Sequence, residues 1–300
     1  MKVIIKSFVC LILCVSICIN CTDNLRVQAD IKNFKYGYGV FLGLDSSITC
    51  SELIKKVSDY RIVVIDAQCF TKKTVMALKK EGHVVYSYID IGSLEDYRSY
   101  YARFRKYALS EYDGWDGEYW VDVTKTDWQE YMYRTLAGKL VKKGIDGFFV
   151  DNCDVYYHYP TKGCYSGIIN ILYGLKEYGL YVCINGGDTF VKKYLKDFAA
   201  YKSTAGGKIC SPDAGMIIDA INQEDVFTAV NFDTGEFSES SKDDRTYYKQ
   251  YASQASKAGL DVYFLEYADG SLYKSVLAAV KKYCKKRGYK YYVSRSLNLD

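Results

Sequence analysis

Gly144-Ile-Asp-Gly-Phe-Phe-Val-Asp151-Asn-Cys-Asp154 carries an unbroken apolar strand directly into two carboxylates. A run as apolar as Gly147-Phe148-Phe149-Val150 is what a parallel sheet requires when both its faces are covered, and in such sheets catalytic groups gather where the strands end. Asp151 therefore stands where chemistry is expected, with Asp154 three residues further on. A capping aspartate opening the next helix would look the same at either position taken alone. Recurrence along the chain separates the two readings.

The pattern returns in Arg61-Ile-Val-Val-Ile-Asp66 and in His83-Val-Val-Tyr-Ser-Tyr-Ile-Asp90. It returns again in Leu180-Tyr-Val-Cys-Ile-Asn185, in Gly215-Met-Ile-Ile-Asp-Ala-Ile-Asn-Gln-Glu224 and in Asp261-Val-Tyr-Phe-Leu-Glu266. Helical periodicity follows the runs, as in Trp128, Tyr131, Leu136, Leu140 and Val141, or Tyr247, Tyr251, Ala255 and Ala258. Further helices are expected from Thr71 and across 94–107. Strands are predicted near 38–42, 62–66, 84–89, 148–151, 181–185, 216–222, 262–266 and 291–294. Such alternation predicts a single-domain (β/α)8 TIM barrel, with an open doubly wound sheet as the alternative. The sixth strand is the least secure because a polar loop at 203–213 precedes it. No dinucleotide or phosphate-binding glycine motif follows any strand.

Residues 1–29 read as a signal peptide or lipoprotein leader. Lys2 and Lys6 flank a basic start, and 7–19 form a short apolar run. Cleavage after Val27-Gln28-Ala29 would release the protein, whereas lipidation of Cys21 would tether it to a membrane surface. Export or surface attachment is expected either way. Residues 30–300, about 270 in all, suit one large domain. A formal net charge of +4 leaves no strong commitment to nucleic acid or anionic lipid. The seven cysteines beyond the leader (Cys50, Cys69, Cys153, Cys164, Cys183, Cys210 and Cys284) do not form a disulfide framework, although Cys153 with Cys164 is the first candidate pair. With only His83 and His158, and no metal-ligand spacing, neither metal nor other cofactor is expected.

A site rich in carboxylates and poor in histidine suits glycosidic bond hydrolysis. That reaction needs one protonated and one ionised carboxyl flanking the scissile bond, and burial can drive the two pKa values apart. The chain carries 32 Tyr and 3 Trp, which offer flat faces for sugars. Tyr88, Trp120, Tyr156, Tyr157, Tyr159 and Tyr267 fall near strand ends, although most tyrosines would pack helices onto the barrel.

Four motifs carry a family resemblance. Tyr86-Ser-Tyr-Ile-Asp-Ile-Gly92 with Glu95-Asp96-Tyr97-Arg98, Trp115-Asp-Gly-Glu-Tyr-Trp120-Val-Asp122, the 144–154 stretch, and Leu265-Glu266-Tyr267 together resemble glycoside hydrolase family 114, the endo-α-1,4-polygalactosaminidases. The resemblance runs from about 36 to 294. It implies a (β/α)8 barrel that cleaves α-1,4-linked galactosamine polymers, with Asp151 and Glu224 as the catalytic pair. Glu266 is the alternative partner of Asp151 and otherwise supports or binds substrate.

A cationic polymer suits an acidic cleft. The strand ends supply Asp66, Asp90, Asp122, Asp151, Asp154, Glu224, Glu266 and Asp269, of which at least four should line one cleft. Structural roles compete for some of them, a cap for Asp122 and a lysine partner for Asp66. Asp66, Asp90, Trp120, Asp154, Asn185, Glu266, Tyr267 and Asp269 are the candidate substrate-binding residues. A monomer is expected, acting on a galactosamine-rich polysaccharide. A barrel that binds amino-sugar polymer without cleaving it, or a hydrolase of another α-linked glycan, fits the same residues.

Overall fold

The apolar runs pair side by side in the computed structural model, which describes residues 33–203 and 215–300. The strands are β1 (Tyr36–Phe41), β2 (Tyr60–Ile65), β3 (Val84–Asp90), β4 (Gly147–Asp151), β5 (Tyr181–Asn185), β6 (Ala220–Glu224), β7 (Asp261–Tyr267) and β8 (Lys290–Ser294). These eight pair in chain order and all run parallel. β8 returns to lie beside β1, so the sheet forms a nearly closed (β/α)8 barrel. A helix fills every interval between consecutive strands, including Cys50–Val57, Lys72–Lys80, Lys162–Lys176, Lys242–Lys257 and Gly270–Arg287.

Alternation along each strand sorts the side chains into two cores. Tyr38, Val40, Ile62, Val64, Tyr86, Tyr88, Phe149, Cys183, Ala220, Tyr263, Leu265 and Tyr267 fill the barrel interior. Their neighbours, such as Val63, Ile65, Phe148, Val150, Val182, Ile184 and Phe264, face the helices. The helices begin where local chemistry starts them. Thr49 opens the first with a reciprocal capping box to Glu52, and Thr71 caps the second through the Thr74 amide at 3.2 Å. Each such cap contributes about 1 kcal/mol.

Three expectations are corrected. The predicted sixth strand, 216–222, forms at Ala220–Glu224, because Ala220 pairs with Asp261 and Glu224 with Leu265. Glu224 thereby sits inside the ladder rather than beyond it. The predicted helix across 94–107 is instead a short strand, Ser93–Glu95, then one helical turn, Tyr101–Phe104, and a 3-10 turn, Arg105–Tyr107. Leu94 is drawn into an antiparallel sheet by Tyr119, and Ala108–Glu111 adds the third strand. Cys153 and Cys164 are both free and buried, so the candidate disulfide is not formed. Cys153 lies tight beneath Gly187, whereas Cys164 occupies the first turn of the helix Lys162–Lys176. The leader, Cys21, Cys210 and most of the 203–213 loop lie outside the described residues.

Two excursions rise from the carboxyl ends of the strands. The three-stranded sheet just described follows β3, and a hairpin of Thr228–Asn231 with Glu236–Glu239 follows β6. Among the described residues, no helix is long and apolar enough to cross a membrane.

Candidate active site

Alternation within the strands assembles the site. Asp90, Asp151, Asn185, Glu224 and Tyr267 each lie two residues beyond an interior side chain, namely Tyr88, Phe149, Cys183, Asn222 and Leu265. They therefore form the next inward layer, at the carboxyl mouth of the barrel. Strand register sets Asp90 opposite Asp151, and it sets Asn185 opposite Asn222, two residues short of Glu224.

Asn185 joins the two central carboxylates. Its amide nitrogen donates to Asp151 Oδ1 at 2.9 Å and to Glu224 Oε1 at 2.7 Å. Those two oxygens can be no farther apart than about 5.6 Å, the limit set by these two contacts in line. The amide cannot flip without loss, because Asn222 Nδ2 donates to Asn185 Oδ1 at 2.7 Å and Tyr38 hydroxyl donates to Asn222 Oδ1 at 3.0 Å. The Tyr267 hydroxyl donates to the second oxygen of Glu224 at 2.6 Å.

Burial governs the protonation of this pair. It holds Asp151 well above the ordinary aspartate value, and the neighbouring charges of Asp90 and Glu224 push the same way. Burial also raises Glu224, against the opposing pull of its hydrogen bonds from Tyr267 and Asn185. Two carboxyls so close titrate as one unit, and they hold a proton into the neutral range more readily than free carboxylates.

A second carboxyl cluster adjoins Asp151. Asp90 accepts from the backbone amides of Gly92 at 3.1 Å and Ser93 at 2.9 Å. Asn152 Nδ2 lies 3.1 Å from both Asp90 Oδ2 and Glu118 Oε1, and the Ser93 hydroxyl contacts the same two oxygens. Burial and the charge of Asp90 push Glu118 up to about 8. The left-handed backbone of Asn152, with φ of 61°, turns its side chain back over β3. Its carbonyl lies 1.8 Å from where a Cβ on Gly92 would be, so only glycine fits there. Asp154 accepts from the Gly187 amide at 2.9 Å, and burial raises it to about 6.

Other candidates lie elsewhere. Asp66 is buried in an ion pair with Arg98, which also holds Glu95, so a charge partner other than the expected lysine occupies it. Trp120 is 5% exposed, its ring between Tyr112 and His158 with both centroids at 4.4 Å, and it offers no open platform. Asp122 closes a turn onto Thr124 and Lys125 instead of capping a helix. Asp269 is exposed at the rim, directly before the helix Gly270–Arg287. Glu266 faces the helix layer, away from Asp151. Its Oε2 accepts from the Phe227 amide at 2.9 Å, the Thr228 amide at 3.0 Å and the Thr228 hydroxyl at 2.8 Å. Asp90, Asp151, Asp154 and Glu224 are the four members of the acidic inventory gathered around the ends of β3 to β6.

Sequence reasoning missed Glu118, Asn152, Ser93 and Asn222. Glu118 had a signal, since Glu118-Tyr-Trp-Val alternates like a strand and places Glu118 on the side of Trp120. Among the described residues, no group of three or more His, Cys, Asp or Glu is arranged to hold a metal ion.

The family model Glycoside-hydrolase family GH114 matches residues 32–300. The chain belongs to glycoside-hydrolase family GH114. As a GH114 member it is a glycoside hydrolase, and two solved structures share its fold. The glycoside hydrolase domain of PelA from Pseudomonas aeruginosa is 17% identical, covering 88% of this chain and 96% of that one, with a TM-score of 0.68. Ega3 from Aspergillus fumigatus, solved in complex with galactosamine, is 16% identical, covering 90% and 94%, with a TM-score of 0.62. An uncharacterized protein of Methanocaldococcus jannaschii is 26% identical over 118 residues, 35% of this chain. Another, from Thermotoga maritima, is 24% identical over 139 residues, 40% of this chain. The matches span 34% and 43% of those two proteins' own lengths.

Proposed function

We propose that this GH114 enzyme hydrolyses α-1,4-linked galactosamine-containing polysaccharide, outside the cell or tethered to its surface, with Asp151 and Glu224 as the catalytic pair. The observation that carries this reading is the Asn185 amide shared by the two carboxylates. It keeps their facing oxygens within about 5.6 Å of each other, which suits the ~5 to 5.5 Å of retaining glycosidases better than the roughly 6.5 to 9.5 Å of inverting ones. One carboxylate attacks the anomeric carbon while the other, as the acid, gives its proton to the departing glycosidic oxygen. Water then cleaves the glycosyl ester, and the group that gave its proton takes one back from that water.

The substrate reading has separate support. Asp154 and Asp90 add negative charge beside the pair, which favours a sugar bearing an ammonium over a neutral one. Ega3, of the same fold, was solved with galactosamine. The test is reducing-end release from a panel of de-N-acetylated galactosamine polymer, its N-acetylated form and other α-linked glycans, with proton NMR of the first anomer formed. Release from the amino polymer with retained α configuration is expected. Binding without release would make the protein a sugar-binding barrel, and an inverted product would overturn the close-pair mechanism.

A further inference from the structure

We propose that Trp115 and Phe232 form an aromatic clasp that takes one amino-sugar ring of the polysaccharide at the mouth of the cleft, beyond the sugars that flank the scissile bond. This rests on the substrate reading above and adds a subsite to it. Trp115 sits in the turn between Ala108–Glu111 and Glu118–Val121, on the excursion that follows β3. Phe232 sits at the tip of the hairpin that follows β6. The two rings nonetheless meet, with centroids 6.2 Å apart at 66°. β4 and β5 lie between their roots and carry Asp151 and Asn185, so the contact borders the arc of the mouth that holds the carboxylate pair.

The contact is specified, and it is not a core contact. Gly114 has φ of +90°, and Phe232 Cγ lies 3.2 Å from where its Cβ would be, so the turn is shaped around the phenyl ring. Asn231 Oδ1 accepts from the Asp233 and Thr234 amides at 3.0 and 3.1 Å and shapes the opposing tip. Yet Trp115 is 43% and Phe232 51% exposed. Two large rings held edge to face with open faces gain little from each other and much from a sugar laid against them. Both are set among carboxylates, Asp113 and Asp116 around Trp115, Asp233 and Glu236 around Phe232, all exposed. A flat apolar face beside acidic groups matches a hexosamine, whose C–H face stacks while its ammonium meets a carboxylate.

Trp115 can be read directly, because the other two of the three tryptophans, Trp120 and Trp128, are buried. In Asp151→Asn protein, a saturating α-1,4-galactosamine hexamer should cut acrylamide quenching of tryptophan fluorescence to about half. Trp115→Ala in the same background should weaken calorimetric hexamer binding about fivefold to tenfold, and Trp115→Phe should recover most of it. Hexamer binding with unchanged quenching, or with unchanged affinity in Trp115→Ala, overturns the clasp alone. If the otherwise native enzyme releases no reducing ends from the polymer, the substrate reading falls and the clasp with it.

Discussion

Replacing Glu266 with glutamine should make the protein more stable at high pH and leave it enzymatically intact. Glu266 is 0% exposed, and its Oε1 has no hydrogen-bond partner among the described residues. Burial is the main cause that raises its pKa from an ordinary 4.5 to about 8, and three donors on the other oxygen pull only partly against it. Folding therefore favours the protonated acid. The stability this contributes is fully present below pH 4.5 and is lost as pH rises through about 8. At about 1.4 kcal/mol per pKa unit the full swing has an upper bound of about 5 kcal/mol. Glutamine resembles the neutral acid, since its carbonyl can still accept from Phe227 and Thr228 and its NH2 takes the unpartnered position. Chemical denaturation should find Glu266→Gln within about 1 kcal/mol of the parent at pH 5. At pH 9 it should be more stable by about 3 to 5 kcal/mol. Turnover should stay within about twofold. A gap that does not change with pH would refute the buried-acid argument. A loss of turnover by orders of magnitude would instead restore Glu266 as a partner of Asp151.

Asp151→Asn and Glu224→Gln should each lower kcat by about a thousandfold or more while Tm moves by no more than about 4 °C, because the amides keep the packing but lose proton transfer and charge. Asn185→Ala removes a donor that lowers the pKa of both carboxyls, so the acid limb of the kcat/KM profile should move to higher pH, and kcat should fall about tenfold to a hundredfold. Binding of the amino polymer to Asp151→Asn protein should weaken as salt rises, and binding of the N-acetylated polymer should respond less, since screening acts on the ammonium–carboxylate attraction. Equal salt dependence would assign recognition to hydroxyls and ring stacking.

The barrel was legible because six of its eight strands are apolar runs that reach Asp, Asn or Glu at their ends, with a helix before the next strand. Asp151, Asn185 and Tyr267 sit at the mouth because the two-residue period that fills the interior also dictates which side chain comes next. The same period explains the miss at Glu266. It is one residue short of Tyr267, and one residue in a strand reverses the face. The 94–107 segment misled because its aromatic spacing satisfies a helix, while its actual partner, 118–121, is distant in sequence and invisible to local periodicity. Glu118 and Asn152 enter the site through that antiparallel pairing and through one left-handed residue, and both are tertiary facts. Trp120 looked like a platform on residue type alone, since type does not reveal which rings will cover it.

The row of donors that begins at Tyr38 gives the protein an internal polarity. Tyr38 to Asn222, Asn222 to Asn185 and Asn185 to the carboxylates all point the same way, from the middle of the barrel to its mouth. Hydrogen bonds aligned head to tail polarise one another, so each phenol and amide dipole strengthens the next. Negative charge appearing at the mouth is thus felt as deep as Tyr38, one of five tyrosines in the barrel interior. Tyr38 and Tyr267 tie the fold to the carboxylates through their hydroxyls, whereas Tyr263 passes its hydrogen bond through Tyr181 to Asp261 at the opposite end of the strands.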